Sequence, residues 1–362
     1  MSVFGERLVV SLFGESHGEA VGLTAHGLPS GLPINRQDIE EALSRRRPDP
    51  AHSAARREPD DFRLLSGVKD DHTNGAPLTV LIKNQSHEAS EYTQGIIRPG
   101  HADYPAYVRD GAFHDHRGGG HFSGRLTAPI VALGAILYPI LERRGVRIAT
   151  HIVRIHQTES PSLRGKKIYS GMLSDLYRSH FPVLGGQEVR DAYLETIHQA
   201  QADGDSVGGM TETIIEGLPA GLGEPFFDSV ESLLSHLVFS VPAVKGIAFG
   251  EGFRLTHVKG SESNDEMEII EGEPTFKSNR QGGILGGLTD GRPIVFETAF
   301  KPTPSISKPQ ASIDFFEKSP REVSTSGRHD ACIVPRAAHV LNALAAYATM
   351  ELFMRREGVS WI

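Results

Sequence analysis

The groups able to move protons or hold anions in this chain are gathered in five short loops framed by glycine or proline. They are Gly14-Glu15-Ser16-His17-Gly18, Arg98-Pro99-Gly100-His101-Ala102-Asp103, Arg117-Gly118-Gly119-Gly120-His121, Ser278 to Gly287, and Lys301-Pro302-Thr303-Pro304-Ser305 followed by Gly327-Arg328-His329-Asp330. Glycine at such points lets the backbone come close to a ligand, and successive glycine N–H groups can face an anion. An imidazole, with its ordinary pKa close to 7, suits general acid–base work. Any one of these histidines, taken alone, reads equally well as a turn residue without a role. Beside them, Arg45, Arg46, Arg47, Arg56 and Arg57 crowd one stretch in which Asp49 is the sole acid. Such a run is either the solvated C-terminus of a helix, placed favourably against its dipole, or a pocket for a small polyanion, whose oxygens guanidinium forks match in pairs.

Composition narrows the chemistry. The 362 residues carry a net charge of −8, so an anion must be held by a local basic cluster and not by the overall field. That charge, with aromatics at only 7%, argues against a nucleic-acid partner. Cys332 is the single cysteine, which rules out an internal disulfide and a four-thiolate zinc site. His114-Asp115-His116, with His121 nearby, invites a metal reading, yet no acidic pair at fitting spacing accompanies it, and no metal is expected. There is no GxGxxG between a strand and a helix, no GxxxxGK[ST], no GxSxG and no HExxH. The N-terminal segment lacks a signal-peptide layout. The longest uncharged apolar run, Leu126 to Leu141, has 16 residues, short of the ~20 a membrane span needs. A cytoplasmic protein without membrane contact is expected.

The elements that must position these loops show an internal repeat. SHGEAVGLTAHGLPSGL from Ser16 and SVGGMTETIIEGLPAGL from Ser206 align at a constant offset of 190, continuing through Asp38/Asp228 and Leu43/Leu233. HTNGAPLTV from His72 and LTDGRPIVF from Leu288 share a T-[N/D]-G-x-P pattern, and each half ends in a long apolar helix, from Leu126 and from Val334. Strands are expected at 7–12, 20–26, 62–67, 77–83, 209–216, 246–257 and 293–300, and helices from Asn35 or Asp38 to Arg46, over 188–202 and over 228–239. Residues 84–124 read as a polar, glycine-rich stretch and 301–330 as mostly irregular, and long loops of this kind usually carry function. Helices and strands mix without strict alternation, so the fold class is α+β. The expectation is a single domain, 1–362, of two intertwined halves (about 1–150 and 190–362) related by a pseudo-twofold, with a site where they meet.

Over nearly its whole length the chain resembles the chorismate synthase family. The resemblance is carried by FGESHG (from Phe13), RRRP (from Arg45), REPD (from Arg57), RPGHADY (from Arg98), RGGG (from Arg117), GDSVGG (from Gly204), GLPAGLGEP (from Gly217), AVKGIAFGEGF (from Ala243), SNRQGGILGG (from Ser278), AFKPTPSI (from Ala299) and GRHDAC (from Gly327). It implies the anti-1,4-elimination of phosphate from 5-enolpyruvylshikimate 3-phosphate to give chorismate, with reduced FMN required and no net redox change. It further implies that His17 protonates the leaving phosphate, that His101 stands near flavin N1, where it would stabilise or protonate the reduced ring, and that Asp330 relays the C6 proton beside flavin N5. Ser16, Arg46, Arg98, Arg125 and Arg328 match positions facing substrate or flavin. Ser123, Pro242, Ala243, Gly286, Lys301, Pro302, Thr303, Pro304, Ser305 and Arg328 match positions that hold FMN. The family usually forms a homotetramer, and the chain length leaves no room for a flavin-reductase domain, so an external reductase or reduced flavin pool is implied.

The chain also departs from the family pattern. RGGGRSSARETA is replaced by RGGGHFSGRLTA, putting His121 and Phe122 where arginine and serine are usual. His121 can keep a polar contact to FMN without a permanent charge, and Phe122 can pack on the ring. His52 replaces an arginine, and Pro242 replaces a common asparagine. These changes bear on flavin contacts more than on the reaction.

Overall fold

The computed structural model describes residues 2–53, 58–85, 92–169, 171–325 and 330–361. In chain order the first half runs β1 (Val3–Phe4), β2 (Val9–Gly14), β3 (Ala20–His26), α1 (Arg36–Arg46), β4 (Phe62–Ser66), a small hairpin of β5 (Val68–Lys69) and β6 (His72–Thr73), and β7 (Leu78–Lys83). In β7, Leu78, Val80 and Ile82 are buried and Thr79, Leu81 and Lys83 are not, the alternation of a sheet with one face on a core. Asn35 Oδ1 accepts from the Gln37 N–H at 3.0 Å and starts α1. After the short helix α2 (Asp103–Asp110) comes the long apolar helix α3 (Thr127–Arg143).

The second half follows as β8 (Arg147–Ile155), β9 (Thr158–Glu159), α4 (Met172–Arg178), α5 (Gly186–Ala202), β10 (Gly209–Glu216), α6 (Val230–Phe239) and β11 (Val244–Phe249). Then come α7 (Gly260–Ser263), hairpins β12 (Met267–Ile270)–β13 (Glu273–Phe276) and β14 (Ile284–Leu285)–β15 (Leu288–Thr289), β16 (Ile294–Phe300), hairpin β17 (Gln310–Asp314)–β18 (Ser319–Val323), and α8 (Val334–Glu357). The two large sheets are antiparallel throughout, with orders β1-β2-β3-β7-β4 and β11-β16-β10-β8-β9. With the edge strands β1 and β9 set aside, β2-β3-β7-β4 repeats as β8-β10-β16-β11, so the fold is α+β with one topology used twice.

The repeat extends to single hydrogen bonds. The Thr73 hydroxyl donates to the Pro29 carbonyl at 2.6 Å and accepts from the Leu32 N–H at 2.9 Å. The Thr289 hydroxyl donates to the Pro219 carbonyl at 2.7 Å and accepts from the Leu222 N–H at 2.9 Å. One hydroxyl thus locks each GLPxGL turn onto the hairpin of its own half.

The core lies between the sheets, where α3 packs along α8. Gly134 permits the crossing: a Cβ there would stand 2.5 Å from Ala343 Cα, which no side chain tolerates. The ends of the chain are joined through Glu351 of α8, buried, which accepts from the Glu6 and Leu8 N–H groups at 2.8 and 2.7 Å. The stretch Gly124–Arg143 has the length and apolarity of a membrane span, yet most of it is buried inside the protein, so it serves as a core helix.

Three sequence expectations need correcting. The strand expected over 246–257 ends at Phe249, because Gly250 and Gly252 adopt φ of 55° and 52° and turn the chain into a 3₁₀ helix at Gly252–His257. Residues 301–330 are not wholly irregular, since β17 and β18 pair within them. Strand β8 was not anticipated, although it is the neighbour of β10 in the second sheet.

Candidate active site

The site is built from four chain reversals at one end of the two sheets. The turn at Ser16–Gly18 joins β2 to β3, and Ala20 pairs with Lys83, so this turn lies where β7 ends and the 84–126 excursion leaves the sheet. In the second half Gly209 pairs with Phe300, so the Ser206–Gly208 turn lies where β16 ends and the 301–333 excursion begins. Each turn is tied to the excursion of its own half. The Ser16 N–H donates to the Gly120 carbonyl at 3.0 Å, and the Val207 N–H donates to the Ala331 carbonyl at 2.8 Å.

The two histidines read as proton donors come together on the triglycine turn. Gly118, Gly119 and Gly120 have φ of 58°, 84° and 53°. A Cβ on Gly118 would overlap the His17 ring, and one on Gly119 would stand 2.9 Å from His101 Cε1 and 3.0 Å from His101 Nε2. Consecutive glycines therefore carry the two imidazoles. His17 is buried, and its ring meets the edge of Tyr92 with centroids 5.4 Å apart. The second half reaches the neighbouring Gly100: Lys301 Nζ donates to its carbonyl, and Pro304 packs on it.

The arginines are held by carboxylates absent from the sequence expectations. Buried Asp60, at φ 56°, accepts from Arg46 Nη2 at 2.8 Å and from Arg125 Nη1, with Arg47 Nε at 3.8 Å. Burial alone would raise the Asp60 carboxyl, but the two guanidinium charges outweigh it and the net shift is downward. Arg46 is pushed down to about 10 by its own burial, with the charges of Arg336 and Arg125 adding to the effect. Its Nε is buried with no hydrogen-bond partner among the described residues. Arg125 Nε donates to Asn84 Oδ1 at 2.9 Å, and Asn84 Nδ2 donates to the Glu15 and Gly18 carbonyls at 3.0 and 2.8 Å. Asn84 thus fastens the His17 turn to the arginine cluster. Ser123 accepts from the Arg125 N–H at 3.3 Å and sets the turn that carries this guanidinium.

Asp330 is buried between Ser53, whose hydroxyl donates to Oδ1, and Arg336, which pairs with Oδ2. Arg336 Nε also donates to the Arg46 carbonyl at 3.0 Å. One polar chain therefore runs from Asp330 through Arg336, Arg46, Asp60, Arg125 and Asn84 to the turn of His17. His52 is buried against Phe181 near Asp330, and burial lowers its pKa.

The FMN-matching positions divide. The Lys301 N–H donates to the carbonyl of Ala243, which takes the uncommon φ of 71°, so Pro242-Ala243 and Lys301 form one surface. The Thr303 carbonyl accepts from the Ser206 hydroxyl at 2.6 Å, Pro302 lies on Gly208, and Ser305 is buried. Gly286 is not brought to this place. Within this chain it occupies the tip of the β14–β15 hairpin, whose Thr289 bonds the Pro219 carbonyl beyond the end of β10 opposite Gly209. The reason is the duplication: its hairpin serves the GLPAGL turn as β5–β6 serves GLPSGL. His121 lies exposed, its ring 4.2 Å from that of Phe122 and its Nε2 3.1 Å from Arg109 Nη2. Phe122 is flanked by the Arg109 guanidinium at 5.5 Å and by His114 at 5.9 Å. Among the described residues no three His, Cys, Asp or Glu side chains converge as metal ligands. Arg328, with Arg56 and Arg57, lies outside the described residues.

Sequence reasoning missed Asn84, Ser53 and Arg336, and it assigned no role to Asp60, Asp103 or Lys245. Asp60, Asp103 and Lys245 stand inside the quoted REPD, RPGHADY and AVKGIAFGEGF strings, where an acid near an arginine run, an acid beside a histidine and a lysine beside a loop were available signals.

Comparison with known proteins bears on this geometry. The family model described as chorismate synthase matches residues 8–354. A chorismate synthase of Korarchaeum cryptofilum is 40% identical over 98% of this chain and 97% of its own length. One of Pyrococcus abyssi is 41% identical over 97% and 98%. A crystal structure of chorismate synthase superposes with a TM-score of 0.72 at 26% identity, covering 98% of this chain and 94% of that one. The chain belongs to the chorismate synthase family, and its activity is the carbon–oxygen lyase reaction of the shikimate pathway that carries that name.

Proposed function

We propose that this chain converts 5-enolpyruvylshikimate 3-phosphate to chorismate with reduced FMN at the junction of its two halves. The observation that carries the reading is the seating of His17 and His101 on consecutive glycines. The residues present suit the cofactor. Thr303 Oγ1 is buried with no hydrogen-bond partner among the described residues. Burial, and next the charge of Lys245, lowers the pKa of Lys301, so an anion beside the two ammonium groups would relieve their repulsion. When bound, reduced FMN supplies electron density to the allylic system without net oxidation or reduction.

The chain's own groups do the rest. Arg46, Arg98 and Arg125 are each anchored on one edge by a carboxylate, which leaves donors such as Arg46 Nε for the substrate's carboxylates and phosphate. His17, with Ser16 beside it, donates its proton to the departing phosphate oxygen. Asp330, oriented by Ser53 and Arg336, accepts the C6 proton and passes it on. Ser123, Pro242, Ala243, Lys301, Pro302, Thr303, Pro304 and Ser305, with Arg328, hold the flavin. Buried side chains around both histidines exclude water and strengthen each of these charges. We read residues 1–362 as one domain with halves 1–150 and 190–362. In this reading the chain works in the cytoplasm as a homotetramer, and an external reductase or reduced flavin pool supplies the cofactor.

The test is an anaerobic assay with dithionite-reduced FMN and 5-enolpyruvylshikimate 3-phosphate, following chorismate absorbance. Turnover with reduced FMN and none with oxidised FMN is the expected result. Turnover without flavin would overturn the cofactor reading.

A further inference from the structure

We infer that Asp103 is a positioning residue that fixes the tautomer of His101, keeping the ring proton on Nδ1 and presenting Nε2 to the triglycine turn. The inference rests on the proton-transfer reading of His101 given above and specifies which nitrogen performs it. Asp103 begins α2 and is only 2% exposed. Its Oδ2 accepts from the Arg98 backbone N–H at 3.0 Å and from Arg98 Nε at 2.8 Å, while Oδ1 accepts from Arg98 Nη2 at 2.8 Å. The same Oδ1 lies 2.6 Å from His101 Nδ1.

The tautomer follows from counting donors. Arg98 Nη2 is also 3.1 Å from His101 Nδ1, and a guanidinium only donates. Were Nδ1 to accept from Arg98, its lone pair would face the Asp103 carboxylate oxygen at 2.6 Å, placing two acceptors in contact. A proton on Nδ1 removes that repulsion and makes a charge-assisted bond of fitting length. Neutral His101 then has its free lone pair on Nε2, the atom lying against Gly119, so Nε2 is the nitrogen that takes up a proton and, in the imidazolium form, gives it away. Arg98, Asp103 and Lys301 are the charged groups around this ring. Burial lowers the imidazole pKa, the Arg98 and Lys301 charges lower it further, and Asp103 opposes them. Asp103 itself is held well below the usual carboxylate range: burial would raise it, but its bonds from Arg98 and His101 prevail. The carboxylate therefore stays charged through the working pH range and keeps Arg98 and His101 in one fixed relation.

The test uses the full chain labelled with ¹⁵N-histidine and long-range ¹H–¹⁵N spectra across pH, on the parent, Asp103→Asn and Asp103→Glu. In the parent, His101 should show a protonated Nδ1 and an unprotonated Nε2. Asp103→Asn should mix the two tautomers, move the His101 midpoint to lower pH and reduce kcat by about 10²-fold, the lower end of what a proton-transfer group supplies. Asp103→Glu should restore the parent tautomer in part. An Nε2–H tautomer in the parent overturns the inference, and this outcome decides even if Asp103→Asn fails to fold. An unchanged tautomer and midpoint in a folded Asp103→Asn overturns it as well. The proton-transfer reading is separated by His101→Ala: full activity there removes His101 from the reaction while leaving the spectroscopic result on Asp103 intact.

Discussion

The two halves share a sheet order, a threonine lock and a turn at the same sheet end, yet they bring different chemistry to the junction. In the first half the turn reads Glu15-Ser16-His17-Gly18; its counterpart reads Asp205-Ser206-Val207-Gly208, with an apolar side chain where the imidazole stood. The first excursion supplies the glycine cradle, His101 and two of the anchored arginines. The second supplies the Lys301–Ser305 segment and Asp330. A duplicated scaffold thus gives two loops reaching one place, with both imidazoles proposed as proton donors in one half and the cofactor-matching segment with its carboxylate in the other. The asymmetry is chemical, while the architecture stays symmetric.

The largest expected effect breaks this comparison at the paired turns. His17→Ala or His101→Ala should cut kcat by ~10²–10⁴ with folding intact, as loss of a general acid does. In the opposite turn, Ser206→Ala removes one hydrogen bond to the Thr303 carbonyl, worth about 0.5–1.5 kcal/mol. It should cost about tenfold or less and appear mainly as weaker flavin binding. Steady-state kinetics under anaerobic conditions distinguishes the two. Equal losses at both turns would show that the halves contribute chemistry alike and would end the asymmetric reading.

A second test concerns what holds the first half's cations. Asp60 balances Arg46 and Arg125 in a buried site, with Arg47 close by. Asp60→Asn keeps the shape and removes the charge, so buried guanidinium groups lose their counter-ion. Breaking such a pair costs about 3–5 kcal/mol, read as a fall in thermal midpoint. Inorganic phosphate should recover more of that stability in Asp60→Asn than it adds to the parent, because an added anion can replace the lost counter-charge. A fall no larger than that of an exposed substitution, or no differential rescue, would separate the arginine cluster from anion binding.

These residues also show what the sequence could and could not reveal. The GLPxGL turns and the glycine-framed histidines were legible because each needs a special backbone conformation that few residue types supply. Asp60 and Asn84 were not, since their roles arise from partners 65 and 41 positions further along the chain, Arg125 in both cases. Ser53 meets Asp330 across 277 positions. Gly286 lies in a highly distinctive string whose glycines form the tight β14–β15 hairpin beside the GLPAGL turn. The hairpin β17–β18 escaped notice because Ser319–Val323 is rich in proline and charge, and its pairing depends on the docking of its strand Gln310–Asp314 beside Ile96 and Ile97.

The smallest expected effect sharpens the symmetric side of the comparison. Thr73 and Thr289 each donate to a proline carbonyl and accept from a leucine N–H with nearly the same lengths, in buried surroundings. Valine at either position keeps the volume and removes both bonds, leaving a carbonyl and an N–H to find water or go unpaired. Each substitution should cost about 1–3 kcal/mol. The two locks serve separate turns and share no partner, so the double variant should lose the sum to within ~0.5 kcal/mol. Denaturant unfolding of the parent, both singles and the double measures this directly. Matching single losses that add would mean the two GLPxGL turns remain energetic as well as geometric equivalents. A large loss at Thr73 with none at Thr289 would mean that divergence has reached the scaffold too, with the second half's turn held by other contacts of the β14–β15 hairpin, such as the Val230 N–H on the Gly287 carbonyl at 3.0 Å.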